Sequence, residues 1–404
     1  MSVTCHRARL IMQAPGRWIS NGFVALSKGR ILAVERMGKK APDGEVVDHG
    51  DGILMPTLVN AHTHLTLSAL KGRVNSTGGF LAWVECLIQE RAGLSLQEAM
   101  REAREAIQAL RQGGAGLVGE FGPLFPIQED LANLGLEGVV WQEWLGGDRE
   151  VPQPSQDYPG IVLSLAGHAP HTTSPALLQR LKALCSASGL PFCMHLAESA
   201  EEVEFLEKGS GRWARFLESR QVDFRDWDCF GLSPVGLAYR LGLLDSGTLL
   251  VHLIQVTDQE VELLAGSGVR VCVCPRSNWR LHRALPPLEK FLKAGLEPCL
   301  GTDSLASVDS LSMFDEMRFV AREFPHLEPS RILEMATLNG AKALGRSDLG
   351  SLCQGYGAKM LYVEMAPPDP RKAQERLLSD PPPVVRPVGW DWPAPGSTPG
   401  GSPE

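Results

Sequence analysis

Leu54 to Leu65 read Leu-Met-Pro-Thr-Leu-Val-Asn-Ala-His-Thr-His-Leu, an apolar run that closes on imidazoles at 62 and 64. Alternate residues of a strand share a face, so both rings can reach one metal ion. His-x-His alone is a weak signal, because two histidines at a strand end can equally be ordinary buried side chains. Three further residues occupy comparable positions: His195, His252 and Asp303 each sit at or near the end of an apolar run bounded by turn residues. Three neutral imidazoles and a carboxylate are ordinary ligands for Zn²⁺, and iron is compatible by ligand type. Such an ion with water in an open position generates a hydroxide nucleophile near neutral pH. Glu198, in His195-Leu-Ala-Glu198, puts a carboxylate just past one candidate ligand, where it can carry protons between that water and a leaving group.

For these residues to meet, they must lie at the same end of neighbouring strands. The spacing predicts a repeated rhythm of buried strand, loop and amphipathic helix. Strands are expected over Leu58–His64, Gly116–Phe121, Gly138–Leu145, Ile161–Ala166, Phe192–Leu196, Leu249–Leu253, Val269–Cys274 and Pro298–Thr302. The clearest helices between them are Leu96–Gln112, Pro175–Ser188, Ser199–Lys208, Asp258–Ser267 and Leu285–Ala294. Eight strands alternating with helices form a (β/α)8 barrel, whose catalytic groups lie at the C-terminal strand ends. The candidates fall there: His62 and His64 on the first strand, His195 on the fifth, His252 on the sixth, Asp303 after the eighth.

Before the barrel, Phe23-Val-Ala-Leu, the turn Ser27-Lys-Gly-Arg, Ile31-Leu-Ala-Val and Val46-Val47 read as a small hairpin layer, too short to fold alone. A further helix is expected over Pro329–Leu344, then a Gly-punctuated stretch from Gly350 that reads as strand and can rejoin that layer. The expected organisation is a composite β-layer from 1–52 and 346–366, a barrel over 53–345, and a Pro-rich tail over 367–404, extended or disordered, with Trp390 and Trp392 able to dock on the body.

A chain of 404 residues, 44% hydrophobic and 21% charged, can bury a large core. A formal net charge of −8 gives no basic stripe for phosphates, so nucleic acid is an unsuitable partner and a small molecule suits better. No run reaches the roughly 18 apolar residues of a membrane span, and the N-terminus lacks the apolar core of a signal peptide. The expectation is a cytoplasmic protein without membrane partners, a homodimer being left open. The nine cysteines fall at unremarkable spacings, and Cys272 and Cys274 read as core residues.

The segments Met55-Pro-Thr-Leu-Val-Asn-Ala-His-Thr-His-Leu, Met194-His-Leu-Ala-Glu-Ser, Val251-His-Leu, Cys274-Pro-Arg-Ser-Asn278 and Leu300-Gly-Thr-Asp-Ser304 resemble the amidohydrolase superfamily. Within it they resemble the cytosine, adenosylhomocysteine and aminofutalosine deaminase branch. The resemblance runs in order from about Gly22 to Val363. It implies a distorted (β/α)8 TIM barrel with a small β-sandwich built from the N- and C-terminal segments. It makes His62, His64, His195 and Asp303 metal ligands, Glu198 the proton shuttle, and His252 a partner that orients or polarises the attacking water. Asp303 can also accept that water's proton. Relatives with two metals have a bridging Lys or Glu on a middle strand. The fourth strand, Ile161-Val-Leu-Ser-Leu-Ala-Gly-His, offers no Lys, so one divalent ion is expected, Zn first and Fe second. His168 matches a histidine that contacts the substrate ring. The chain departs from the pattern at His171, where relatives usually carry Tyr, at Thr57, where Gly commonly follows the Pro, and at Lys359, where Asp is usual.

The substrate wall is expected after the first strand, with Phe80, Trp83, Glu90 and Arg91; a core-facing helix with a charged end explains them equally well. The stretches His195–Trp213 and Leu65-Thr-Leu-Ser-Ala-Leu-Lys-Gly are most similar to aminofutalosine deaminases, although Thr66 stands where Glu is expected. This implies loss of ammonia from 6-amino-6-deoxyfutalosine on a menaquinone route. Adenosylhomocysteine, adenosine, guanine or cytosine deamination, or a chlorohydrolase or cyclic-amide hydrolase, would use the same site. A scaffold without catalysis would be expected to lack ligands.

Overall fold

In the computed structural model, residues 2–39, 42–75, 77–122, 127–153 and 158–390 are described. The N-terminal segment forms the expected hairpins. β1 (Thr4–Ala14) pairs antiparallel with β2 (Arg17–Ser27), and β3 (Arg30–Arg36) returns along β2. The connection Lys28-Gly29 has φ of 49° and 70°, the two-residue turn whose twist suits a hairpin. β4 (Glu45–Asp48) and β5 (Ile53–Pro56) both run parallel to β1. β5 therefore belongs to the terminal layer, which reaches to Pro56 rather than ending at residue 52.

The next eight strands form one parallel sheet in sequential order: β6 (Leu58–Thr63), β7 (Ala115–Gly122), β8 (Glu137–Trp144), β9 (Ile161–Gly167), β10 (Phe192–Leu196), β11 (Thr248–His252), β12 (Arg270–Val273) and β13 (Cys299–Leu300). Their near-continuous apolar sequences suit strands covered on both faces. Helices between them follow the predicted amphipathic stretches, and Leu96–Gln112 is found with the expected limits, capped by Ser95 Oγ. Cys193, Cys272, Cys274 and Cys299 are free, buried thiols packed with Phe121, Trp141 and Val251, as core residues.

The sheet closes into a barrel through a polar seam between β6 and the segment after β13. Asn60 Nδ2 donates to Thr302 Oγ1 at 2.7 Å, and the Thr302 N–H returns to Asn60 Oδ1 at 3.1 Å. The N–H groups of Thr302 and Asp303 both approach the His62 carbonyl at 3.1 Å, and Thr63 forms a parallel bridge with Asp303. Gly301 is required here: a Cβ would stand 2.8 Å from His62 Cβ and 2.9 Å from Cys272 Sγ.

The long helix expected over Pro329–Leu344 is two, Pro329–Met335 and Leu338–Ala343, broken at Thr337 (φ −132°, ψ −86°). β14 (Met360–Glu364) then pairs antiparallel with β5, completing the return to the terminal layer. The extended or disordered tail expected from 367 is not what its described part adopts. Helix Pro370–Leu377, N-capped by Asp369, is followed by β15 (Val384–Val388) paired antiparallel with β14, giving a mixed seven-stranded sheet. Prolines concealed these elements, but Pro370 sits at the start of the helix, where no N–H is needed, and Pro387 lies on an edge strand. Trp390 Nε1 donates to the Met360 carbonyl at 3.0 Å, and Lys359 lies over its ring at 4.4 Å; Trp392 and residues 391–404 lie outside the described residues. Lys359 also donates to the Gly135 carbonyl at 2.7 Å and pairs with Glu137 at 3.2 Å, while Thr57 Oγ1 donates to the Gly114 carbonyl at 2.9 Å. Both departures from the family pattern thus bond the terminal layer to the barrel floor.

Ending the chain after Asp369 removes the buried Ala373, Leu377 and Val388 together with Trp390. At about 1.5–3 kcal/mol for each large apolar side chain, the expected loss is about 3–6 kcal/mol, read as a markedly lower Tm. An unchanged Tm would mean these contacts stabilise nothing.

Candidate metal centre and proton relay

The ends of the barrel strands place the imidazoles, and strained backbone just beyond them places Glu198. His62 and His64 close β6, and their ligand nitrogens lie with that of His195 all within 4.8 Å of one another. His195 Nδ1 is 2.9 Å from the His168 carbonyl and so carries the proton, leaving Nε2 as a lone pair 3.2 Å from His62 Nε2. Asp303 Oδ1 approaches His64 Nε2 at 3.6 Å, and the other Asp303 oxygen accepts from Ser277 Oγ at 2.5 Å and Ser307 Oγ at 3.0 Å. Burial pushes His62 and His195 well below the usual histidine range, reinforced by their neighbouring imidazoles. Burial lowers His64 too, partly offset by Asp303. Neutral imidazoles are what a metal requires. Three neutral imidazole nitrogens converge within 4.8 Å, His62 and His195 meeting Nε2 to Nε2, and an Asp303 oxygen stands beside His64. The donor set His62, His64, His195 and Asp303 fits a cation.

Four non-glycine residues at these strand ends adopt left-handed backbone: Ala197 (φ 53°), His252 (78°), Leu253 (49°) and Asp303 (62°). Such residues cost about 1–3 kcal/mol each and persist only where surroundings hold them. Here the Ala197 carbonyl accepts the N–H groups of Ile254 and Gln255 at 2.9 and 2.8 Å, tying β10 to β11 at the mouth. The Glu202 carboxylate accepts the N–H groups of Ala197 and Glu198 at 3.1 and 2.8 Å. Glu198 is thereby fixed beside the cluster. Burial raises its carboxyl pKa, but His252 and His282 outweigh burial and hold it at about 2. Its Oε2 is 3.8 Å from His252 Nε2, and its Oε1 is 3.0 Å from His282 Nε2. His252 is itself held by Asn278 Nδ2, 2.9 Å from Nδ1. Ser277 and Asn278 lie on helix Pro275–His282, which is not among the helices expected from the sequence.

A cavity of about 410 Å³ opens on this cluster. His64, His195, Glu198, His252 and Asp303 line its floor, and His168 and Trp83 also line it. Trp83 Nε1 donates to the Ala306 carbonyl at 3.3 Å, so its ring rather than its N–H faces the space. Glu90 is not on the lining. Helix Phe80–Ala92 turns Trp83, Val84, Leu87, Ile88 and Arg91 inward, and Glu90 falls at the edge of that stripe. His171 lines the cavity between Trp213, at a ring distance of 4.6 Å, and Glu202.

Two residues went unrecognised in the sequence. Glu143, at the end of β8, lines the cavity 3.7 Å from His168 and is raised to about 7 by burial, an effect Arg91 partly opposes. His282 stands four residues beyond Asn278, one helical turn on and therefore on the same face; that spacing from a recognisable motif was the available signal.

A cluster of this kind at the C-terminal mouth of a parallel barrel suits a hydrolase assisted by a divalent metal. The chain belongs to the amidohydrolase family, whose model matches residues 149–385, and to its deaminase branch. It is 30% identical to a 5-methylthioadenosine/S-adenosylhomocysteine deaminase of Nitratidesulfovibrio vulgaris, over 87% of this chain and 80% of that protein. A deaminase of the same name from Moorella thermoacetica is also 30% identical, over 89% and 85%. The fold is shared with Helicobacter pylori aminofutalosine deaminase in complex with methylthio-coformycin: TM-score 0.85, 22% identity, 96% of this chain and 99% of that one. An adenosine deaminase from Xanthomonas campestris with bound zinc aligns at TM-score 0.75 and 26% identity, covering 89% and 84%. No helix among the described residues is long and apolar enough to cross a membrane.

Proposed function

We propose that this protein hydrolytically deaminates a 6-aminopurine nucleoside whose 5′ position carries an apolar extension, a class that includes 5′-methylthioadenosine and 6-amino-6-deoxyfutalosine. The observation that carries the reading is the wall leading away from the polar floor, formed by Phe80, Val84, Leu87, Ile88, Phe216 and Leu217. Such a surface suits an apolar tail better than a free 5′-hydroxyl. Arg91 and Arg220 on the same lining favour members with a carboxylate at the end of that tail.

His62, His64, His195 and Asp303 would hold the ion, with Zn²⁺ suited to three nitrogens and one oxygen. When bound it supplies Lewis acidity and lowers the pKa of water. The remaining chemistry belongs to the chain. Glu198, ionised at the start, takes a proton from the attacking water and delivers it to the purine ring nitrogen. It then takes the proton of the hydroxyl newly bonded to the ring carbon and gives it to the amine, which leaves as ammonia as the carbonyl forms. His252, fixed by Asn278, orients the water. His168, whose Nδ1 lies 2.6 Å from Thr172 Oγ1, presents Nε2 to the ring, and the buried apolar wall excludes bulk water.

Ammonia release should be measured with adenosine, 5′-methylthioadenosine, S-adenosylhomocysteine and 6-amino-6-deoxyfutalosine, beside a triazine and a cyclic amide. The 5′-extended nucleosides should exceed adenosine in kcat/KM by roughly 10–200-fold, the range hydrophobic pockets achieve. Turnover confined to the triazine or cyclic amide would overturn the reading.

A further inference from the structure

We propose that His282 is a positioning residue for the reaction: its Nε2–H holds one oxygen of Glu198, so that the other oxygen alone takes and gives the proton. The inference rests on the reading in which Glu198 carries protons. Helix Pro275–His282 starts at Cys274 and sends three side chains into the site. Ser277 bonds Asp303, Asn278 bonds His252, and His282, at the other end, bonds Glu198. The His282 ring is buried and packs on Phe80 at a centroid distance of 4.5 Å, so it has little freedom to swing away.

An ionised carboxylate only accepts, so at 3.0 Å the His282 nitrogen facing it must carry a proton. Oε1 is then occupied, and Oε2 is the oxygen that faces His252. When Glu198 takes a proton from water, protonation of Oε1 weakens its bond from His282, whereas Oε1 keeps its full strength as an acceptor if the new proton resides on Oε2. That oxygen is the one able to pass it to the ring nitrogen or the departing amine. His282 gains and loses nothing in the cycle. It removes the competing carboxylate rotamer and the unproductive protonation on Oε1.

The titratable groups that face Glu198 are His282 from its helix, His252 from β11, His64 from the end of β6, His168 and His171 from the loop after β9, and Glu202 from its own segment. Among the described residues, His282 is the one in hydrogen-bond contact with a Glu198 oxygen. Facing His282 are Glu198 and the uncharged Phe80.

The test uses the metal-loaded full chain with His282→Leu, which keeps an apolar contact for Phe80, and His282→Gln, whose amide N–H can reach the same oxygen. For the leucine variant kcat should fall by about 10²-fold, the scale of a misplaced catalytic group, with KM and metal content nearly unchanged. The glutamine variant should recover most of the loss. A leucine variant with parental kcat, or a glutamine variant as slow as leucine, overturns the proposal. A second readout needs no substrate. In protein labelled with ¹³C-glutamate, the Glu198 carboxyl signal, identified by its loss in Glu198→Gln, should titrate at higher pH in His282→Leu than in the parent and return toward the parent in His282→Gln. An unmoved titration in the leucine variant overturns the contact even if the parent proves to deaminate no aminopurine nucleoside, while a moved one upholds it in that case.

Discussion

Glu198→Gln is expected to keep its metal and its fold and to lose turnover by about 10²–10⁴-fold, the usual contribution of a positioned acid–base group. The amide is nearly isosteric with the carboxylate, and its oxygen can still accept from His282. It cannot take a proton from water at neutral pH, and the parent carboxylate, held at about 2, begins each cycle ionised and ready to do so. Because one carboxylate is proposed to serve both transfers, both should be lost together. Metal analysis and circular dichroism should match the parent while ammonia release collapses. Near-parental turnover, or metal lost along with activity, would remove Glu198 from the role assigned to it.

The complementary experiment is His62→Ala, expected to lose both metal and activity. His62 is fully buried, it meets His195 nitrogen to nitrogen at 3.2 Å, and its ring stands edge-on to His64 at 4.8 Å. Removing it takes away a ligand from the centre of the set, and a three-ligand remnant binds much more weakly. Metal per chain should fall well below one equivalent after dialysis. His252→Asn is the control: it should slow the reaction while retaining metal, because His252 lies beside Glu198 and Asn278 rather than within the ligand cluster. Full retention of metal by the His62 variant, or two equivalents in active parent protein, would contradict a single site built on these residues.

Much of this site was legible because its parts sit at strand ends, where sequence pattern is strongest. His62, His64, His195, His252 and Asp303 each close a short apolar run, and the period of two and the barrel rule together place them at one mouth. What remained hidden depends on long-range geometry. The sequence offers Glu143 as one carboxylate in Trp-Gln-Glu-Trp, and only the approach of β8 to β9 shows it beside His168. His282 required knowing that residues after Cys274 turn helical rather than continue as a loop. Glu90 failed for a related reason: one position on a helix is about 100° of rotation, too fine for a stretch whose orientation composition alone does not fix. The C-terminal segment misled because prolines read as breakers were placed where breakers do no harm, at a helix start and on a sheet edge.

The polar seam has a consequence for how heat resistance in this protein is to be understood. β13 contributes two residues, and the barrel is completed there by side chains and a single bridge rather than by a long ladder. His62 stands on one lip of that seam and Asp303 on the other, so any parting of the lips pulls the proposed ligands apart. Opening of the barrel would then release the ion, so the two equilibria are linked. An ion that binds only the closed form adds about 1.4 kcal/mol for each tenfold rise in its free concentration above Kd. The melting point is accordingly expected to depend on the solution as well as on the fold, rising with the free concentration of the ion these residues are proposed to hold.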